Sequence, residues 1–111
     1  MPKFLFCGTY TDEGLAGLQH DGAAARREAV EKLIASAGGT LEALYWAFGN
    51  DDVYCLADLP DTVAAGAVTL AVGMSGALKV RTVVLETAED VDASLRGAKA
   101  LIYRPPGGTD A

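Results

Sequence analysis

Apolar and polar positions alternate cleanly at the start of the chain. Phe4, Phe6, Gly8 and Tyr10 fall on one side and Leu5, Cys7 and Thr9 on the other, which predicts a first strand over 3–10. Thr11 to Gly22 is polar and broken by glycine, with Leu15 and Leu18 one turn apart, so it reads as a loop with a short helical turn. From Ala23 to Ala37 the period becomes helical, with Val30, Leu33, Ile34 and Ala37 in one stripe. Glu28 and Lys32 sit at i,i+4 in the favourable order, worth about 0.3 kcal/mol. Gly38-Gly39 then stops the helix by offering a residue free to take the left-handed conformation.

Leu41–Phe48 and Val53–Ala57 form a hairpin across Gly49-Asn50-Asp51. Asp58-Leu59-Pro60-Asp61 breaks the second of these strands, and Asp61 is placed to cap a helix over Val63–Met74, whose alanines allow close packing on a sheet. Val80–Glu86 is a fourth strand rich in β-branched residues. Thr87-Ala88-Glu89-Asp90 reads as a capping box with Asp in place of Glu, opening a last helix through Val91, Leu95 and Ala98. The order is β-α-β-β-α-β plus a C-terminal helix, the α+β arrangement called ferredoxin-like, an antiparallel sheet with its helices on one face. Residues 1–103 form the single predicted domain, and 104–111, opening with Arg104-Pro105-Pro106-Gly107, a disordered tail.

A helix layer on one side leaves the other side of the sheet bare. If Phe48 pairs with Asp52, then Trp46 opposes Tyr54, Leu44 opposes Leu56 and Glu42 opposes Asp58. The alternate positions pair Ala47 with Val53, Tyr45 with Cys55 and Ala43 with Ala57, small residues suited to lie under helices. This register turns Trp46, Phe48, Tyr54, Leu44 and Leu56 away from the helices. They would make an apolar patch of several hundred Å², large for a monomer. The expected cover is a second copy, as a homodimer or higher homo-oligomer.

Composition narrows the classes. At 111 residues there is room for one core, and half the residues are apolar while 22% are charged. A net charge of −6 without a basic stripe argues against nucleic acid or anionic membrane as partners. The longest apolar stretch, Val63 to Val72, falls short of the roughly 20 residues of a membrane span, and Met1-Pro2-Lys3 leads into a strand without a signal-peptide core. Two cysteines make neither a disulfide framework nor a metal-ligand spacing, and the expected location is the cytoplasm.

Candidate chemistry is sparse. Asp52 opens the third strand beside Trp46 and Tyr54, where a carboxylate is suited to proton transfer; the plainer alternative is a turn aspartate accepting backbone N–H bonds. His20, the only histidine, is either a general base over the sheet mouth or a solvated loop residue. Trp46, Tyr54, Phe48 and Tyr10 suit a pocket for a planar hydrophobic molecule, or equally the packing of an interface. Arg81 suits an anionic group or a structural salt bridge, and Cys7 and Cys55 read as buried inert thiols on neighbouring strands. No phosphate loop, Ser-His-Asp set or zinc cluster is visible, so neither a metal nor a cofactor is expected.

Several blocks together resemble one family. Arg26-Arg27-Glu28-Ala29-Val30-Glu31, Gly38-Gly39-Thr40-Leu41-Glu42-Ala43, Phe48-Gly49-Asn50-Asp51-Asp52-Val53, Ala71-Val72-Gly73, Gly76-Ala77 and Val80-Arg81-Thr82 are similar, in order and spacing, to GYD-domain proteins. The resemblance runs from about Phe4 to Ser94. Gly49 and Asp52 match the family's signature, but Asp51 stands where its tyrosine is expected, so no role of that tyrosine carries over. The resemblance implies a subunit of the dimeric α/β-barrel type, two sheets facing one another. For function it leaves two readings: a binding or assembly protein with a small apolar ligand between paired sheets, or a cofactor-independent enzyme of the monooxygenase or isomerase type acting on an aromatic or enolic substrate.

Overall fold

The computed structural model describes residues 1–108. Its elements are β1 (Lys3–Tyr10), α1 (Asp12–Asp21), α2 (Ala23–Ser36), β2 (Thr40–Trp46), β3 (Val53–Asp58), α3 (Thr62–Met74), β4 (Leu78–Leu85) and α4 (Ala88–Ala98). The four strands form one antiparallel sheet in the order β2-β3-β1-β4, the ferredoxin-like arrangement expected from the element order. Helices α2 and α3 cover one face, and between them and the sheet lie the buried Phe4, Phe6, Ile34, Leu44, Ala57, Ala65 and Val68.

The two predicted caps are present. Asp61 accepts the Ala64 N–H at 2.8 Å to start α3. The Thr87 hydroxyl accepts the Asp90 N–H at 3.1 Å while the Asp90 carboxylate accepts the Thr87 N–H at 3.2 Å, satisfying two otherwise orphaned donors of α4. Of the tail predicted over 104–111, residues 109–111 lie outside the described residues. Before them, a turn is closed by the Gly108 N–H on the Pro105 carbonyl at 2.9 Å.

Two expectations are corrected. The stretch read as a loop, 11–22, is the helix α1. The Thr11 hydroxyl accepts the Gly14 N–H at 3.1 Å, and Asp12 and Glu13 in the first turn complement the positive helix end. Gly14 lies inside this helix, and glycine is required there because a side chain would strike the Ala77 carbonyl. Gly22, at φ 83°, turns the chain from α1 into α2.

The second correction concerns the hairpin. Trp46 pairs with Val53, Tyr45 with Tyr54, Leu44 with Cys55 and Ala43 with Leu56, one residue out of step with the predicted register. A bulge between Leu41 and Ala43 then lets Leu41 pair with Ala57 and Thr40 with Asp58. The β3 parity is as expected: Val53, Cys55 and Ala57 lie under the helices and Tyr54 and Leu56 on the open face. The β2 parity is inverted. Leu44 is buried under the helices and Trp46 packs against the same core, while Tyr45 is exposed on the open face and Phe48, beyond the end of β2, is 87% exposed. The bulge explains how Leu41 and Leu44, three residues apart, reach the same side.

Candidate functional site

Under the helices, the four strands converge at one end of the sheet on a cavity of about 110 Å³. Tyr10, Trp46, Val53, Leu78 and Val80 supply its floor, and Arg26, Val30, Leu33 and Val72 its roof from α2 and α3. Gly8 keeps the floor open, since a Cβ there would come within 2.8 Å of Val53 and 2.7 Å of Leu78. The lining is apolar apart from three groups: the Tyr10 hydroxyl, the Trp46 indole N–H and Arg26.

These groups are held from different elements. The Trp46 Nε1–H donates to the Tyr10 hydroxyl at 3.0 Å. Tyr10 is fixed in turn by Asp52, whose carboxylate accepts the Tyr10 backbone N–H at 2.9 Å. The Asp52 N–H donates to the Gly8 carbonyl at 2.8 Å, and its carbonyl accepts the Ala47 N–H at 2.8 Å. Asp52 therefore clamps the hairpin turn onto the end of β1. Arg26, in the first turn of α2, is half-buried and lies 3.8 Å from the Asp21 carboxylate, a loose pairing. Burial pushes the Cys55 thiol, also in the lining, up to about 11, so it is protonated and inert at neutral pH.

The remaining candidates lie elsewhere. His20 is at the exposed end of α1, its Nδ1 3.0 Å from the Asp21 carboxylate, and does not line the cavity. Tyr54 and Arg81 are on the open face of the sheet, where both donate to one oxygen of Asp51, at 3.3 and 3.1 Å. Burial, followed by the Asp51 charge, raises the Tyr54 phenol; the hydrogen bond to Asp51 raises Arg81. Asp51, at the position where the family's tyrosine was expected, is thus a salt-bridge anchor for Arg81. Cys7 pairs with Tyr54 and Cys55 with Phe6, so the two thiols project to opposite faces and remain free. Lys3 bridges Glu42 at 2.7 Å and Asp58 at 2.9 Å, and these hydrogen bonds raise its ammonium. Lys3 thereby offsets the like charges of Glu42 and Asp58.

Of the predicted ligand-binding residues, the structure brings Tyr10 and Trp46 together in a cavity and separates them from Tyr54, Phe48 and Arg81. Sequence reasoning passed over Arg26, Leu78 and Val72. The available signal was the stripe Val30, Leu33, Ile34: Arg26 lies one turn before Val30 on the same helix face.

A protein-family model described as the GYD domain matches residues 4–95. No curated protein matches the chain.

Proposed function

The chain belongs to the GYD-domain family, and on that premise we propose that it is a self-associating binding protein with one small-ligand site per protomer. The site is the cavity between helices and sheet, not a space between paired sheets. The observation that carries this reading is an apolar hollow with a few polar side chains in its lining, Tyr10 and Trp46 in the floor and Arg26 in the roof, the arrangement of a ligand pocket. Its size bounds the ligand. A cavity of about 150 Å³ accommodates benzene, so about 110 Å³ limits the enclosed part of a ligand to one small ring or a short branched chain at most. Arg26 favours a ligand whose polar end carries negative charge, such as a small aromatic carboxylate. Self-association is supported by the open sheet face, where the exposed Tyr45 and the half-buried Leu5, Leu56 and Val83 leave apolar surface without a cover.

Neither side chain considered for proton transfer supports the enzyme reading. The Asp52 carboxylate is engaged with the Tyr10 backbone, and His20 lies on the surface.

Trp46 is the only tryptophan and sits in the cavity wall, so its fluorescence reads occupancy directly. Titration with benzoate and with benzyl alcohol should give a saturable change. Arg26→Gln should weaken benzoate selectively, and Val72→Phe, which fills the cavity, should abolish both. A fluorescence response that survives Val72→Phe, or none at millimolar probe, would overturn the site.

A further inference from the structure

Beyond Leu85 the chain leaves the body of the protein. Every residue from 86 to 107 is exposed, and α4 buries none of its side chains. The radius of gyration is 18.0 Å, against about 13 Å for a compact chain of this length. This arm is nonetheless a well-formed helix with a capping box and an apolar side. Val91 and Leu95 are one turn apart, and Leu101, Ile102 and Tyr103 follow at 75%, 96% and 69% exposure. A helix this short is marginal in water unless its apolar side is packed.

We infer that the arm of one copy packs against the body of a second copy, in a reciprocal exchange about a two-fold axis. The inference rests on the self-association proposed above and names the segment responsible for it. Three features favour a second copy as the occupant. The chain presents a complementary surface of its own, the uncovered apolar face of the sheet. The lengths agree: α4 spans about 16 Å, and the face runs about 20 Å from Lys3 to Thr9. The charges also agree. Acids come first along the arm (Glu89, Asp90, Asp92) and bases later (Arg96, Lys99), while the sheet face has Lys79 beside the Asp51-paired Arg81 at one end, leaving a net positive charge, and the net negative Glu42-Lys3-Asp58 group at the other. One arm offers several hundred Å² of apolar side chain. Two arms, each with the surface it covers, reach the roughly 1,200–2,000 Å² typical of a stable interface.

The test uses the full-length chain. A mixture of ¹⁴N- and ¹⁵N-labelled protein, unfolded and refolded together so that subunits are shared, then treated with an amine-specific cross-linker, should give mixed-mass links from Lys99 to Lys79 or Lys3. Links carrying one label only would show the arm folding back on its own protomer and overturn the exchange. In sedimentation, Val91→Asp and Leu95→Asp should each weaken association by roughly tenfold or more; both sites are exposed, so the protomer fold, followed by circular dichroism, should be unaffected. An oligomer unchanged by both substitutions would overturn the arm's role while leaving association through the sheet intact. A full-length chain that is monomeric at high concentration would overturn both, and Trp46 titration with benzoate would still decide the ligand site separately.

Discussion

The indole of Trp46 on β2 donates its hydrogen bond to the Tyr10 hydroxyl on β1, across the intervening strand β3. With strands about 4.8 Å apart, the two side chains span nearly 10 Å and close one end of the cavity over Val53. Tyr10→Phe removes the acceptor without changing the ring. The half-buried indole N–H then loses its partner, at a cost of about 0.5–1.5 kcal/mol. Urea unfolding should show that loss, and the emission of Trp46 should shift as its N–H turns to solvent.

Asp52 fixes the other side of Tyr10, and its substitutions separate a structural role from proton transfer. Asn keeps an oxygen able to accept the Tyr10 N–H, so Asp52→Asn should remain within about 0.5 kcal/mol of the native stability. Asp52→Ala leaves that part-buried backbone N–H without its acceptor and should cost about 1–3 kcal/mol. Chemical denaturation of the two variants measures the difference. Equal losses would mean that the carboxylate charge, and not its hydrogen bond, holds the turn.

Two glycines of α1 should respond to alanine in opposite directions. At Gly14 the new Cβ meets the Ala77 carbonyl, and relief requires backbone movement at the start of β4; a loss of about 2–3 kcal/mol follows. At Gly17 the space is open, so Ala should stabilise by about 0.5–1 kcal/mol through helix propensity. Thermal melts of the pair should therefore move apart by several degrees or more.

Alkaline pH should destabilise the protein partly through Cys55. Its thiol titrates at about 11 when folded, above the ordinary value of 9.0, because burial disfavours the thiolate. That contribution is complete below pH 9 and is lost as pH rises through about 11, since unfolding then releases a thiolate that the folded core excludes. The loss amounts to about 3 kcal/mol at most. Cys7, Tyr54 and Lys3 shift upward as well and act in the same direction. Unfolding midpoints measured from pH 8 to 11 should fall, and Cys55→Ala should flatten the curve without abolishing the fall. At pH 8, Cys55 should resist iodoacetamide until the protein is unfolded.

How far each element was legible depended on the range of the interaction that fixes it. The strand over 3–10 and the caps at Asp61 and Thr87 are matters of near neighbours: side chains alternating about one backbone, or a side-chain oxygen meeting an amide three residues on. The helix over 12–21 was obscured because Gly14 and Gly17 lower local propensity, and the reason for Gly14 lies in its contact with Ala77. The direction of Trp46 depended on a bulge at Glu42 and a one-residue shift at the turn, each of which reverses a strand's faces. Leu41 and Leu44 both appeared in the pattern, but their odd spacing does not by itself disclose the bulge.

The sequence alone determined the order of the strands and of every helix but α1, the caps and the family. These are set by local periodicity and by near neighbours along the chain. Only the tertiary structure decided that Trp46 and Tyr10 meet beneath the helices in a cavity that Arg26 also lines, that Asp52 is a clamp, and that the last helix stands away from its own body. Each depends on register and on contacts between distant segments, where a shift of one residue costs little locally and redirects a whole strand.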